Sequence, residues 1–385
     1  MDRDCRTTIC FPFVGDTVGG SHHSVRGLIE RLDRRRFRVI VVPQIAGGAI
    51  ARFFGEQELL TGPRLAMRFP PGQPFGAAKA LKALAALLPQ IRFLRREHVD
   101  IVHTNDGGTH ASWALAARLA GARLLWHHRG DPDARGLRTL APLLANRVLA
   151  VSSFALPRAR LFSAARKAEV LHSPFDATVD VDRQAARAEL LREEGLPADA
   201  LILGYFGSFI GRKRPLLFVE TIAKLRRLLP NRPVIGVMFG AADDIAMELK
   251  LERRIVELDG VGAVRLMGYR TPGAFWIGAC DQLVVPAVGE PFGRTLVEAM
   301  LVGTPIVAAR SGGNIEALRD GRLGLLVAPD DAEALALGCA QLVTEPAATR
   351  ARALFAQNDA RQRFGAEDHC TRVSQIYAEL VGRAA

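Results

Sequence analysis

The sequence predicts an α/β protein built on two doubly wound parallel sheets. Three observations carry that expectation. Short apolar runs of strand length alternate with helical patterns; the alternation restarts after a polar, helix-like stretch, Val181 to Glu194; and 385 residues at 49% hydrophobic composition suffice for two cores of ordinary size.

In the first half the apolar runs are F-R-V-I-V-V-P (Phe37 to Pro43), D-I-V-H-T-N (Asp100 to Asn105), A-R-L-L-W-H-H (Ala122 to His128) and R-V-L-A-V-S-S (Arg147 to Ser153). Each is read as a buried parallel strand. Gly19-Gly20-Ser21 precedes a helix with apolar residues at Val25, Leu28, Ile29 and Leu32, the period of one buried face, and A-S-W-A-L-A-A-R-L-A after Thr109 is a second helical segment. The change of domain falls in H-S-P-F-D-A-T-V-D, His172 to Asp180, where Pro174 and its polar neighbours suit a linker. Beyond it come L-I-L-G-Y-F-G from Leu201, P-V-I-G-V-M-F-G from Pro233, A-V-R-L-M-G from Ala263, D-Q-L-V-V-P from Asp281, T-P-I-V-A-A-R from Thr304 and G-L-L-V-A-P from Gly324. Asp243-Asp244 and Asp330-Asp331 are read as acids at helix starts.

The five cysteines (Cys5, Cys10, Cys280, Cys339, Cys370) are scattered and lack metal-ligand spacing, which fits a reducing compartment and gives no metal site. The N-terminus, M-D-R-D-C-R-T-T-I-C-F, has acids where a secretory leader is basic, and no apolar run approaches the ~18 residues that span a bilayer. The expected location is the cytoplasm, with peripheral contact at the inner face of the membrane as an option. Charge is unevenly placed: residues 1–180 hold 26 Lys and Arg against 15 Asp and Glu, whereas residues 181–385 hold 25 of each. The densest clusters are Arg31, Arg34, Arg35, Arg36 and Arg38, then Arg92, Arg95 and Arg96, near the apolar stretch Ala77 to Leu88. That pattern suits an anionic membrane surface or anionic acceptor, and equally a solvated arginine-rich face. Few aromatics interleave with the basic runs and no nucleic-acid motif appears, so no nucleic-acid partner is expected.

Function in open α/β sheets sits in loops that follow strands. One such loop is G-E-P-F-G-R-T-L-V-E-A-M, Gly289 to Met300, between the strand ending near Val288 and a helix beginning near Thr295. Gly293 allows close approach of a ligand, and the amides of Arg294, Thr295 and Leu296 would face an anion from the positive end of the helix. Glu298, one turn in, suits a ribose diol, because a carboxylate accepts two hydroxyl protons, and Glu290 suits a second polyol. A structural reading stands beside this one. Thr295-Leu296-Val297-Glu298 matches a capping box in which Glu298 returns to the Thr295 amide, and Glu290 before Pro291 is equally an ordinary loop acid.

Followed by G-T-P-I-V-A-A-R-S-G-G-N-I-E-A-L, this stretch resembles the E-x7-E region of retaining glycosyltransferases of the fourth family, which have the GT-B fold. Further segments agree in order: G-D-T-V-G-G-S (Gly15 to Ser21), D-I-V-H-T-N, V-S-S-F, G-Y-F-G-S-F-I-G-R-K-R-P and D-G-R-L-G-L-L-V-A-P-D-D. The resemblance covers nearly the whole chain and is most specific from Asp281 to Asp331. It implies two Rossmann-like doubly wound domains facing across a cleft. The first, 1–180, would bind the acceptor and the second, 181–365, the nucleotide-sugar donor, with a C-terminal helix at about 366–385 packing back on the first. It implies Glu298 at the ribose, Glu290 at hydroxyls of the donor sugar, Gly293, Arg294 and Thr295 at the diphosphate, and Gly20 beside donor phosphate and acceptor. The donor base would lie against Gly240 and the backbone near Tyr269-Arg270.

One position departs from the family. An arginine and a lysine, five residues apart after the first strand of the second domain, neutralise the diphosphate there; the arginine position here holds Ser208, while Lys213 is kept. Only 6 of the 51 basic residues are lysines, so Lys213 within Arg212-Lys213-Arg214 looks selected for its compact ammonium, with Arg212 or Arg214 left to supply the missing charge. A solvated basic turn before Pro215 is the other reading. W-H-H-R-G, Trp126 to Gly130, stands where the family has a cleft histidine, in a register open between His127, His128 and Arg129. Alternation on a strand points His127 and Arg129 together and His128 apart; His103 is read as structural.

The resemblance implies a retaining transfer of sugar from a nucleotide diphosphate sugar to a hydroxyl of a glycan or lipid-linked acceptor, with Glu290, Lys213, His127 and Arg129 at the chemistry and neither metal nor cofactor. A catalytically silent nucleotide-sugar scaffold and a nucleotide-sugar epimerase of similar fold are the alternatives. Neither half opens with a G-x-G-x-x-G turn, which sets a dinucleotide-dependent oxidoreductase aside.

Overall fold

The computed structural model describes residues 5–63, 77–242, 244–258 and 260–382, with side chains throughout except over 77–86. Asp243 and the side chains of most of the Ala77 to Leu88 stretch therefore lie outside the described residues. The chain forms two compact units, Met1–Pro174 with Ala366–Ala385, and Phe175–Gly365.

The first unit holds seven strands: β1 (Thr7–Pro12), β2 (Phe37–Val42), β3 (Glu58–Leu59), β4 (Ile101–Thr104), β5 (Arg123–His128), β6 (Arg147–Ala150) and β7 (Ala168–Val170). They pair in parallel in the order β3-β2-β1-β4-β5-β6-β7. Strands β1, β3 and β7 go beyond the sequence reading, which examined T-T-I-C-F only for a leader. Ile9, Phe11, Val39, Val41, Ile101 and Leu125 face the helix Gly20–Ile29 and the C-terminal helix Ala366–Val381. Cys10, Ile40, Val42, Val102, Leu124 and Trp126 pack with Trp113, Ala116 and Ala117 of the helix Gly107–Ala120, capped by Asp106. His103 and His127, each two residues beyond a residue of the first face, continue that face.

The second unit holds β8 (Leu201–Phe206), β9 (Val234–Phe239), β10 (Val264–Gly268), β11 (Gln282–Val285), β12 (Ile306–Ala309) and β13 (Leu325–Val327), all parallel, in the order β10-β9-β8-β11-β12-β13. Leu201, Leu203 and Tyr205 of β8 enter one apolar layer and Ile202 the other. Asp244 and Asp331 do start helices, accepting from the amides of Met247 (2.8 Å) and Ala334 (2.9 Å). Asp330 does not; its carboxylate pairs with Arg214. In each sheet the order reverses beside the unit's first strand, between β1 and β4 and between β8 and β11. Beyond the carboxyl ends at such a switch point is where open sheets bind ligands. Among the described residues the five cysteines form no disulfide, and no helix is long and apolar enough to cross a membrane.

Candidate functional site

The switch point of the second unit is formed by the loops after β8 and β11. After β8 the chain passes through Gly207, whose φ of +137° few side chains tolerate, and a Cβ there would overlap the Lys213 ammonium. Lys213 thus lies folded against the strand end, and among the described residues its ammonium has no hydrogen bond or ion pair. Its neighbours are committed elsewhere. Arg212 pairs with the Glu290 carboxylate, and Arg214 forms a two-pronged pair with Asp330 at 2.5 and 3.2 Å. Neither arginine stands free to replace the one absent at Ser208, which is exposed and whose carbonyl accepts from the Tyr205 hydroxyl at 3.2 Å.

The loop after β11 is fixed at three points. The amide of Val288 donates to the Arg212 carbonyl (3.0 Å), that of Gly289 to Ser311 Oγ (3.0 Å), and that of Gly313 to the Glu290 carbonyl (2.7 Å). The helix Arg294–Leu301 then starts from Gly293, which sits at φ +70°; a Cβ there would meet Leu296 Cδ1 at 3.0 Å and Asn314 Oδ1 at 3.3 Å. Of the amides at this helix start, that of Leu296 already donates to the Gly293 carbonyl (3.0 Å), so Leu296 is not a donor to a ligand. The Thr295 amide has no acceptor among the described residues.

Glu298 is not a capping residue. The N-cap is Gly293, which puts Thr295 inside the first turn, and the Glu298 carboxylate lies 3.5 Å from Arg294 Nη2. Arg294 in turn stacks over the Phe175 ring at 4.2 Å, so its guanidinium holds Glu298. Burial pushes the Glu298 carboxyl up from its ordinary range, while the charges of Arg294 and Lys213 oppose the rise. A half-buried carboxylate, a free ammonium and an open helix-start amide therefore meet at one switch point. Asn314, missed by sequence reasoning although it lies in the quoted S-G-G-N-I-E-A-L, is fully buried beside Gly293. Its Nδ2 donates to the carbonyls of Ala287 (3.3 Å) and Ala309 (3.0 Å), and its Oδ1 has no partner.

In the first unit the ends of β1, β4 and β5 carry Gly19 and Gly20, Asn105, and His127 to Arg129. Arg129 donates from Nη1 to Ser173 Oγ (3.0 Å), from Nε and Nη2 to Asn105 Oδ1 (3.3 Å each), and from Nη2 to His127 Nδ1 (3.3 Å). Because a guanidinium only donates, His127 Nδ1 is an acceptor, and the other hydrogen bonds follow in turn. His103 Nε2 donates to His127 Nδ1 (3.3 Å), and the Tyr377 hydroxyl of the C-terminal helix donates to His103 Nδ1 (2.7 Å). Burial holds both histidines well below the usual imidazole range, hence neutral. His127 is wholly buried, and its partner Arg129 is partly exposed. His128 turns away and donates to the Asp131 carbonyl (2.9 Å). Gly20 opens its helix at the surface, while His22 accepts the Gly19 amide on Nδ1 (3.1 Å), leaving a buried Nε2 unpartnered. Sequence reading missed Asn105 and Tyr377; the only sign of the former is an asparagine closing the apolar run D-I-V-H-T-N.

Residues 18–179 match the family model described as Glycosyltransferase Family 4, and residues 200–345 the one described as Glycosyl transferases group 1. The chain carries the two domains of a group 1 glycosyltransferase in the GT-B fold. Curated relatives include the D-inositol 3-phosphate glycosyltransferases of Stackebrandtia nassauensis (35% identical over 50% of this chain and 41% of the relative) and Thermobispora bispora (31% over 56% and 53%). The chain thus spans about half the length of the curated relatives it matches. Among solved structures, Anabaena HepE in complex with UDP and glucose superposes with a TM-score of 0.82 at 21% identity, covering 97% of this chain and all of that one. Sucrose-phosphate synthase of Thermosynechococcus elongatus gives 0.76 at 21%, covering 98% and 100%.

Proposed function

We propose that the chain is a retaining, metal-independent glycosyltransferase of the fourth family that moves a sugar from a nucleoside diphosphate sugar to a hydroxyl of a glycan or lipid-linked acceptor in the cytoplasm. The observation that supports it most is the meeting of free Lys213, the open Thr295 amide and Glu298 at the switch point of the second unit. In this reading the ribose diol donates to Glu298, and the diphosphate lies at Gly293 and Thr295 with Lys213 against its charge. Glu290, steadied by Arg212, orients the sugar. Arg129, positioned by His127, and Gly20 are the first unit's contributions to substrate. The bond from the anomeric carbon to the diphosphate oxygen breaks while the bond to the acceptor oxygen forms on the same face, and the acceptor proton passes to the departing diphosphate. Lys213 and the helix start stabilise the charge that develops there.

The HepE structures with UDP and UDP-glucose support UDP as the first donor nucleotide to try, and the names of the curated relatives add a phosphorylated polyol to the acceptors. A second reading, a nucleotide-sugar-binding scaffold without turnover, is favoured by one observation: both arginines beside Lys213 are paired to carboxylates. Thermal unfolding with UDP, GDP, ADP, TDP and CMP, on wild type and Glu298→Gln, tests the site, since a ligand at ~100 times its dissociation constant adds ~2.7 kcal/mol. Stabilisation by one nucleoside diphosphate, lost in the variant, supports it, and no shift with any nucleotide overturns it. Acceptor-dependent release of nucleotide then separates transferase from scaffold, and the anomeric configuration of the product tests retention.

A further inference from the structure

A second basic feature of the first unit is lined by residues other than those at its switch point. An open pocket of about 360 Å³ is lined by Arg135 and Arg138 from one short helix, by Arg158 and Arg160 from the loop that follows β6, and by Phe162. Asp133 is the acid of this pocket. It pairs with Arg158 at 2.9 Å and Arg160 at 3.6 Å, which leaves Arg135 and Arg138 without an ion pair among the described residues. The loop is closed on itself, Ser163 Oγ donating to the Arg158 carbonyl (2.7 Å) and accepting from the Ala165 amide (3.1 Å). At its tip stand Leu161, fully exposed, and Phe162, 58% exposed. Two adjacent large apolar side chains held out in water are costly unless something covers them, and here they are rimmed by cations.

We propose that this face docks the protein on an anionic lipid surface, with Leu161 and Phe162 entering the headgroup layer and Arg135, Arg138, Arg158 and Arg160 pairing with lipid phosphates. The combination favours a membrane over a soluble anion: phosphate recognition alone needs no apolar tip, and an apolar contact alone needs no ring of arginines. Stable peripheral binding takes such paired signals, neither sufficing alone. Each cation near an anionic leaflet contributes roughly fivefold in partition. The proposal concerns where the first unit sits and does not depend on the proposed reaction.

The test is co-sedimentation of the full chain with vesicles of phosphatidylcholine, with and without phosphatidylglycerol, for wild type, Arg135→Gln with Arg138→Gln, and Leu161→Ser with Phe162→Ser. All four side chains are exposed, so thermal unfolding should be unchanged and serves as the folding control. Expected is salt-sensitive binding to the anionic vesicles, reduced roughly 25-fold by the arginine pair and reduced also by the apolar pair at constant charge. Absence of binding by wild type overturns the proposal, as does binding that both double variants retain. Loss with the arginine pair alone, together with wild-type binding abolished by millimolar inorganic phosphate at constant ionic strength, also overturns it and makes the pocket a site for a soluble anion. Because the readout is partition and not turnover, its failure is distinguishable from failure of the proposed transfer.

Discussion

At the residue scale the Glu298 carboxylate is held between burial, which favours the acid, and Arg294 and Lys213, which favour the anion. Burial prevails, so the folded chain binds this proton more tightly than the unfolded one, and the group costs stability as pH rises through its raised value. A ribose diol needs the anion. Nucleotide affinity is therefore expected to fall on acidification at a higher pH than an exposed glutamate would give, and to be flat over that range in Glu298→Gln; calorimetric titration at several pH values checks this. Lys213→Ala should lower kcat by roughly 10²–10³ with a smaller change in donor KM, because in the proposed reaction its charge acts on the leaving diphosphate. Gly293→Ala should cost about 1–2 kcal/mol by denaturant unfolding for its left-handed backbone, and should weaken nucleotide binding by moving the helix start. The loop and its two glutamates were visible in the sequence as the connection between a strand and a helix, yet the two readings of Glu298 were not separable there. What separates them is the backbone of Gly293, which starts the helix one residue ahead of Arg294 and so turns Glu298 from a cap into a partner of Arg294.

At the scale of elements, the C-terminal helix reaches the end of β5 through a chain of hydrogen bonds, Tyr377 to His103 to His127 to Arg129. Tyr377→Phe leaves a buried imidazole nitrogen without its donor and should cost about 1–3 kcal/mol. If the chain positions Arg129, turnover by the folded fraction should also fall, with nucleotide binding by the second unit unchanged; a purely structural role would lower thermal stability alone. Strands β2, β4, β5 and β6 and all six of the second unit were legible because each is a short, largely apolar run bounded by turn or polar residues. Strands β3 and β7 have two and three residues at the edges of their sheet, too few for any pattern. The relay was illegible for another reason. It joins residues 274 positions apart, and no spacing rule connects His103 to Tyr377.

At the scale of the whole molecule, four buried histidines of the first unit, His103, His110, His127 and His369, share one sign. Burial lowers each, His369 to about 3, so the unfolded chain takes up protons that the folded one refuses. Stability contributed by their neutrality is present above the ordinary histidine value of about 6.5 and is lost as pH falls below it, by at most about 1.4 kcal/mol per pH unit for each. Urea unfolding between pH 7.5 and 5 should show the first unit weakening before the second. The division of the chain has a consequence for its birth on the ribosome. The second unit is one continuous stretch, Phe175–Gly365, whereas the first borrows Val373, Ile376 and Tyr377 for the core around Ile9, Phe11 and Val39. Synthesis therefore finishes the second unit while the first, begun earlier, still waits for its last helix with apolar surface uncovered, which exposes the N-terminal half to aggregation during translation.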